Sequence, residues 1–165
     1  MIHRAVVCAA LLGVASAVAV AQEPKPSPPA HVMMTAPQMV WSDAPPSLPK
    51  GAKMVVLSGN PGAAGPFTIR AKFPAGYKIA AHWHPTDEHV TVISGVFSVG
   101  TGNAFDAKAL HAMPAGGFAV MPAEMRHFAS VKVPTTIQVH GNGPFTVNYV
   151  NPADDPRNAA ASPAH

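Results

Sequence analysis

Charge is scarce in this sequence. Lys, Arg, Asp and Glu make up 12% of its 165 residues, about half of the ~25% usual in globular domains, which argues against long solvated helices and coiled coils. The formal net charge of +3 is spread thinly with no basic cluster, which disfavours a nucleic-acid surface. Cysteine is nearly missing as well. Its single copy, Cys8, lies inside an N-terminal apolar run, so the remaining chain has neither disulfides nor thiolate metal ligands. Leucine is also rare: after residue 21 there are 3 Leu against 14 Val and 4 Ile. This β-branched excess favours strands over helices, while 19 Pro and 13 Gly cut them short. The length suits one modest domain able to bury its own core.

The first segment reads as an address. His3 and Arg4 form a basic start, Ala5 to Ala21 is an uncharged run, and Ala19-Val20-Ala21 is a small-x-small cleavage pattern. A secretory signal at 1–21, cleaved after Ala21, is expected. Its 17 residues fall short of the roughly 20 that span a bilayer, so no stable membrane insertion is expected after cleavage. A periplasmic or secreted location follows, consistent with a cysteine-free mature chain. Residues 22–37 read as a Pro-rich linker. Met33, Met34 and Met39 read as an arm packing on the domain rather than as soft copper ligands. The folded domain is placed at 38–151, and 152–165 as a flexible tail.

Between these ends the pattern is β. Pro66 to Phe73 alternates, with Phe67, Ile69, Ala71 and Phe73 on one face. His89 to Val99 is an apolar run broken at Gly95, and Phe118 to Met121, Val131 to Val139 and Pro144 to Val150 complete the strands. Pro74-Ala75-Gly76, Ala115-Gly116-Gly117 and Gly141-Asn142-Gly143 read as turns. Repeated short strands of this kind predict an all-β sandwich or barrel in a single domain.

The histidine spacing carries chemistry. His82 and His84 are two apart, so on a strand both imidazoles leave the same face. Pro85 breaks the strand, Thr86-Asp87 turns, and Glu88 opens the next apolar run. If Glu88 points inward, Val90 and Val92 follow it and His89 points away. His127 arrives about forty residues later, in Arg126-His127-Phe128. Three imidazoles and a carboxylate suit one divalent first-row metal per chain: Fe, Mn, Ni, Zn or Cu. Octahedral coordination would leave two open positions for water, substrate or dioxygen.

With those residues in place, Gly76-x5-His82-x-His84-x3-Glu88-x6-Gly95 resembles the first signature motif of the cupin superfamily, every spacing met. Gly116-x5-Pro122-x-Glu124-x2-His127-x3-Val131 resembles the second. It departs from the family pattern at Glu124, where Gly is usual, and at Val131, where Asn is usual. The resemblance covers about residues 55–150. It implies an antiparallel jelly-roll (cupin) barrel with the metal inside, in a small exported protein that commonly forms a homodimer.

The pocket is read more openly. Thr136, Gln138 and His140 alternate with Ile137 and Val139, and either set could face the interior. In the functional reading Gln138 and His140 line the cavity with Tyr77, Phe118 and Met125. Phe128 and Tyr149 are further candidate walls, although core packing explains each of these apolar residues as well. Trp83 is expected outward, toward a subunit interface, and roughly 101–114 is read as specificity loops. Glu88 and His140 are the catalytic candidates, with Tyr77 and Glu124 as further possible bases. Two functions stay open. One is an enzyme acting on a small oxygen-rich substrate: a dioxygenase, or an isomerase, lyase or decarboxylase. The other is a non-catalytic exported metal- or small-molecule-binding protein.

Overall fold

The structure is a computed structural model and describes residues 31–159. The signal at 1–21, linker residues 22–30 and tail residues 160–165 lie outside the described residues. Eleven strands form two antiparallel sheets: β1 (Ser42–Asp43), β2 (Lys53–Ser58), β3 (Gly65–Phe73), β4 (Lys78–Trp83), β5 (Glu88–Ser94), β6 (Val96–Thr101), β7 (His111–Pro114), β8 (Phe118–Met121), β9 (His127–Ser130), β10 (Thr135–Gly143) and β11 (Asn148–Tyr149). One sheet runs β1-β2-β3-β10-β5-β8 and the other β11-β4-β9-β6-β7. This is the expected all-β jelly roll. Among the described residues no helix is long and apolar enough to cross a membrane.

Strand alternation decides what lies between the sheets. On β3, Phe67, Ile69, Ala71 and Phe73 are all buried; on β5, Val90 and Val92; on β10, Ile137 and Val139. These residues form one continuous cluster with Ile79, Phe97 and Ala129 from the facing sheet, and water removal from such apolar faces is what drives the sheets together. The opposite face of β3 and β10 is polar, and Arg70 Nε donates to Gln138 Oε1 across it at 3.0 Å.

Several local expectations change. Gly141-Asn142-Gly143 is no turn, because β10 runs through it, paired with Phe67, Pro66 and Gly65. The glycines are there for close approach: a Cβ on Gly141 would lie 2.6 Å from the Asp87 carbonyl, and one on Gly143 2.1 Å from that of Ala63. The 131–139 run is split by a bend at Lys132–Val133, so its first residue only follows β9. Strand β2 was not expected, and 101–114 is not all loop, since β7 closes it. Met39 packs on the sheet, its Sδ 3.6 Å from an Arg70 nitrogen, whereas Met33 is 80% exposed. Beyond Asn151, Pro152–Asp154 forms a 3-10 turn and Pro156–Ala159 a helical turn. There Arg157 pairs with Asp155 at 2.6 Å and donates to the Val147 carbonyl.

Candidate metal centre

β4 and β9 lie side by side, and His82 faces His127 in register. His84 follows one residue beyond the end of β4, and its carbonyl is held by the Glu124 amide at 2.8 Å. The turn between His84 and Glu88 is pinned from two sides. Thr86 Oγ1 donates to the Asn142 carbonyl at 2.7 Å, and Asp87 Oδ1 accepts from the Ala123 amide at 2.7 Å. Glu88 then opens β5 with its side chain inward, in phase with Val90 and Val92. His82, His84 and His127 are buried, and one ring nitrogen of each lies within 4.8 Å of the others. Glu88 Oε2 is 3.4 Å from His84 Nε2 and 3.3 Å from His127 Nε2.

The tautomers follow from the backbone. Nδ1 of His82 lies 2.7 Å from the Ala80 carbonyl, that of His84 2.8 Å from Thr146, and that of His127 2.9 Å from Met125. A carbonyl only accepts, so each Nδ1 carries the proton and donates. With no second proton, such a ring presents a lone pair on Nε2, the arrangement that orients metal-bound histidines. Stacking of His84 on Phe145, with centroids 4.2 Å apart, fixes that ring further. Burial, with crowding by His127 and His84, pushes the His82 imidazole down to about 3, so it stays neutral. For Glu88, burial opposes ionisation, but in the metal-free site attraction and hydrogen bonds from His84 and His127, with a proton on Nε2, outweigh it and hold the carboxyl well below the usual carboxylate range.

Lone pairs and an anion therefore face one another in a buried space. His84 Nε2 has no hydrogen-bond partner at all, a costly condition for a buried polar atom. A cation between them resolves both problems. Ligand atoms bound at about 2.0–2.2 Å stand roughly 3–3.5 Å apart at neighbouring positions, and the two Glu88 contacts have that spacing. The donor set fits a divalent metal ion.

The four groups line a cavity of about 60 Å³, room for a few water-sized groups at roughly 10–15 Å³ each. The rest of its wall is apolar, including Leu48, Ile69, Phe97, Ile137, Val139 and Phe145. Sequence parity already put Ile69 on the inward face of its strand and left Ile137 and Val139 open, but gave no sign of Leu48 or Phe145, which come from loops.

The other expected site residues go elsewhere. Gln138 and His140 point to the outer face of β10, because Ile137 and Val139 take the interior. His140 stacks on His89 there, with centroids 4.8 Å apart, so it does not stand beside the metal ligands. Phe118 is also outside, 56% exposed, its ring 6.2 Å from that of His89. Tyr77 is core, packed on Phe73, with its hydroxyl donating to the Pro49 carbonyl; burial pushes its pKa up. Met125 reaches the site only through its carbonyl, which orients His127. Residues 101–114 contribute nothing to the cavity wall. Trp83 stands outside it, beside Glu124 and Arg126. Glu124 keeps the backbone shape that the usual glycine would give, at φ 63°.

Comparison with known proteins agrees with this architecture. The family described as the ChrR cupin-like domain matches residues 29–146. No curated protein matches the chain significantly. Among solved structures, the polyketide cyclase RemF from Streptomyces resistomycificus superposes with a TM-score of 0.64 at 13% identity, covering 81% of this chain and 95% of that one. A protein of Methylibium petroleiphilum PM1, provisionally assigned as an acetylacetone dioxygenase, gives 0.60 at 23% identity, with coverages of 79% and 88%. An acetylacetone dioxygenase from Acinetobacter johnsonii gives 0.59 at 15%, covering 81% and 85%. At these identities the likeness is one of fold.

Proposed function

Because the chain belongs to the ChrR cupin-like family of the cupin superfamily, we propose that it is a metal-dependent enzyme acting on a small oxygen-bearing molecule at a mononuclear His82-His84-His127-Glu88 centre. One observation carries this reading. Three buried imidazoles and a carboxylate converge with their proton-bearing nitrogens turned away, and His84 Nε2 is left without a partner. A bound divalent ion would supply Lewis acidity and, if redox-active, access to dioxygen.

The chain's own residues define the guest. Apart from the four ligands the cavity wall is apolar, so nothing there hydrogen-bonds a ring of hydroxyl groups, and sugar-like substrates are poorly served. A compact apolar body with one pair of oxygens fits better, since only the metal side of the cavity is polar. A small 1,3-diketone has this form, and the names of two structural neighbours, an acetylacetone dioxygenase and a provisionally assigned one, support that choice. Among the cavity residues Glu88 is the one carboxylate, and as a ligand it would set the charge at the positions a guest takes on the metal. Dioxygenation is therefore our first reading of the reaction. The Ala19-Val20-Ala21 pattern supports placing this activity outside the cytoplasm.

A second reading is a binding role without turnover. It is favoured by the lack of any acid or base in the cavity wall beyond the four ligands, among the described residues. The test has two steps: elemental analysis of the native protein, then dioxygen consumption with small 1,3-diketones. The enzyme reading expects a stoichiometric metal and dioxygen uptake matched to substrate loss. A metal-loaded protein with no uptake, and no substrate loss without oxygen, would leave the binding role.

A further inference from the structure

The sheet interior is sealed on one side by a loop rather than a strand. Residues 44–52 join β1 to β2, and the Ala44 amide donates to the Ala52 carbonyl at 3.0 Å to close the neck. Inside the neck, Pro45, Pro46 and Pro49 stiffen the segment, and a single turn bond runs from the Leu48 amide to the Pro45 carbonyl at 2.9 Å. Two tyrosines from elsewhere hold it down. Tyr77 donates to the Pro49 carbonyl, and Tyr149, in β11, donates to the Ser47 carbonyl at 2.9 Å. Burial, with the charge of Asp155 adding to it, pushes the Tyr149 pKa up to about 12, so its hydroxyl keeps its proton.

Between these two fastenings stands Leu48. Its side chain lines the metal cavity and also an outer cleft of about 630 Å³. Among the described residues no other lines both. The cleft is walled by Asp43, Pro46, Lys50, Pro156 and Arg157. Asp43 is paired with Lys53 and Arg157 with Asp155, so Lys50 gives the cleft a positive balance. Gly51, next to the neck, has φ 104°, a conformation that leaves a hinge open to glycine alone.

We propose that the Pro45–Lys50 loop is the gate of the metal cavity, with Leu48 as the partition and the outer cleft as the antechamber through which small anionic or enolic guests and the metal pass. The inference rests on the metal-centre reading and deepens it. The prolines make the loop swing as a piece about Gly51, and opening it breaks two tyrosine hydrogen bonds without disturbing either sheet. A small cavity facing a cleft ten times larger across one leucine is the geometry of a door.

Metal exchange tests this without any turnover assay. Protein loaded with Co(II) is mixed with excess dipicolinate, a small anionic chelator, and metal loss is followed by absorbance. Leu48→Ala should speed loss at least ten-fold with unchanged initial stoichiometry, Tyr149→Phe should speed it a few-fold, and Leu48→Phe should slow it. Phe118→Ser, on the outer sheet face, should match the wild type. Wild-type rates in Leu48→Ala and Leu48→Phe would overturn the gate, as would an equal acceleration in Phe118→Ser, which would trace the effect to general loosening. Failure of wild-type protein to take up Co(II) would instead overturn the metal-centre reading beneath it.

Discussion

Two sets of histidines sit on this barrel, one supplied by β4, its end and β9, the other by β5 and β10 of the facing sheet. His82, His84 and His127 are buried, each with Nδ1 bound to a backbone carbonyl and Nε2 turned to a common point. His89 and His140 lie on the outer face, stacked on each other across β5 and β10. His89 follows directly after Glu88, yet one step along a strand moves a side chain from the cavity to the surface. What separates a candidate metal centre from a pair of surface rings is therefore parity and a carbonyl behind each ring. Residue type alone does not distinguish them.

Acid should expose the difference most strongly. The folded state holds the His82 imidazole down to about 3, while the unfolded chain binds that proton near pH 6.5. Between those values the unfolded state carries more protons, so stability of the metal-free barrel falls as pH drops through that window. Glu88, also held low in the fold, extends the loss below its ordinary range. Urea titrations between pH 7 and 4 should show a decline of several kcal/mol in all. A His82→Ala variant should show a flatter profile, and an equally steep one would mean that His82 is not the source.

Metal should act next. At a metal concentration 100-fold above Kd, the folded state gains about 2.7 kcal/mol, roughly 10 °C in Tm for a domain of this size. Thermal melts with and without a chelator should show that shift in wild-type protein and in His140→Ala, and none in His127→Ala. Glu88→Gln should keep part of it. A shift unchanged by Glu88→Gln would remove the carboxylate from the ligand set.

The smallest effect concerns the backbone behind the site. Glu124 holds φ 63°, where a side chain costs about 1 kcal/mol relative to glycine. Glu124→Gly should thus raise stability by about 0.5 kcal/mol after the added freedom of the unfolded chain is counted. Chemical denaturation reads it, and a loss of stability would show that the Glu124 side chain makes a contact worth more than the strain.

Much of this was legible beforehand. His-x-His, the break at Pro85 and Glu88 after it specify a strand corner with inward ligands, because each step depends only on strand period and proline chemistry. The sense of β10 was not legible. The alternation of Gln138 and His140 with Ile137 and Val139 was plain, but only the partner strand β3, with Ile69 and Ala71 buried opposite Val139 and Ile137, decides which set goes in. Gly141 and Gly143 were misread because a glycine that admits a neighbouring carbonyl looks, in sequence, like one that turns the chain. Leu48 left no signal. Its role comes from two tyrosine hydroxyls that bond the carbonyls on either side of it, Pro49 and Ser47, from 28 and 102 residues away.

Counting metal ions decides the central claim. Elemental analysis of wild-type protein, a His82→Ala/His127→Ala double variant and a His89→Ala/His140→Ala double variant should give one divalent ion per chain in the first and third and none in the second, with all three folded by circular dichroism. Metal retained by the His82→Ala/His127→Ala protein, or lost from the His89→Ala/His140→Ala one, would contradict it.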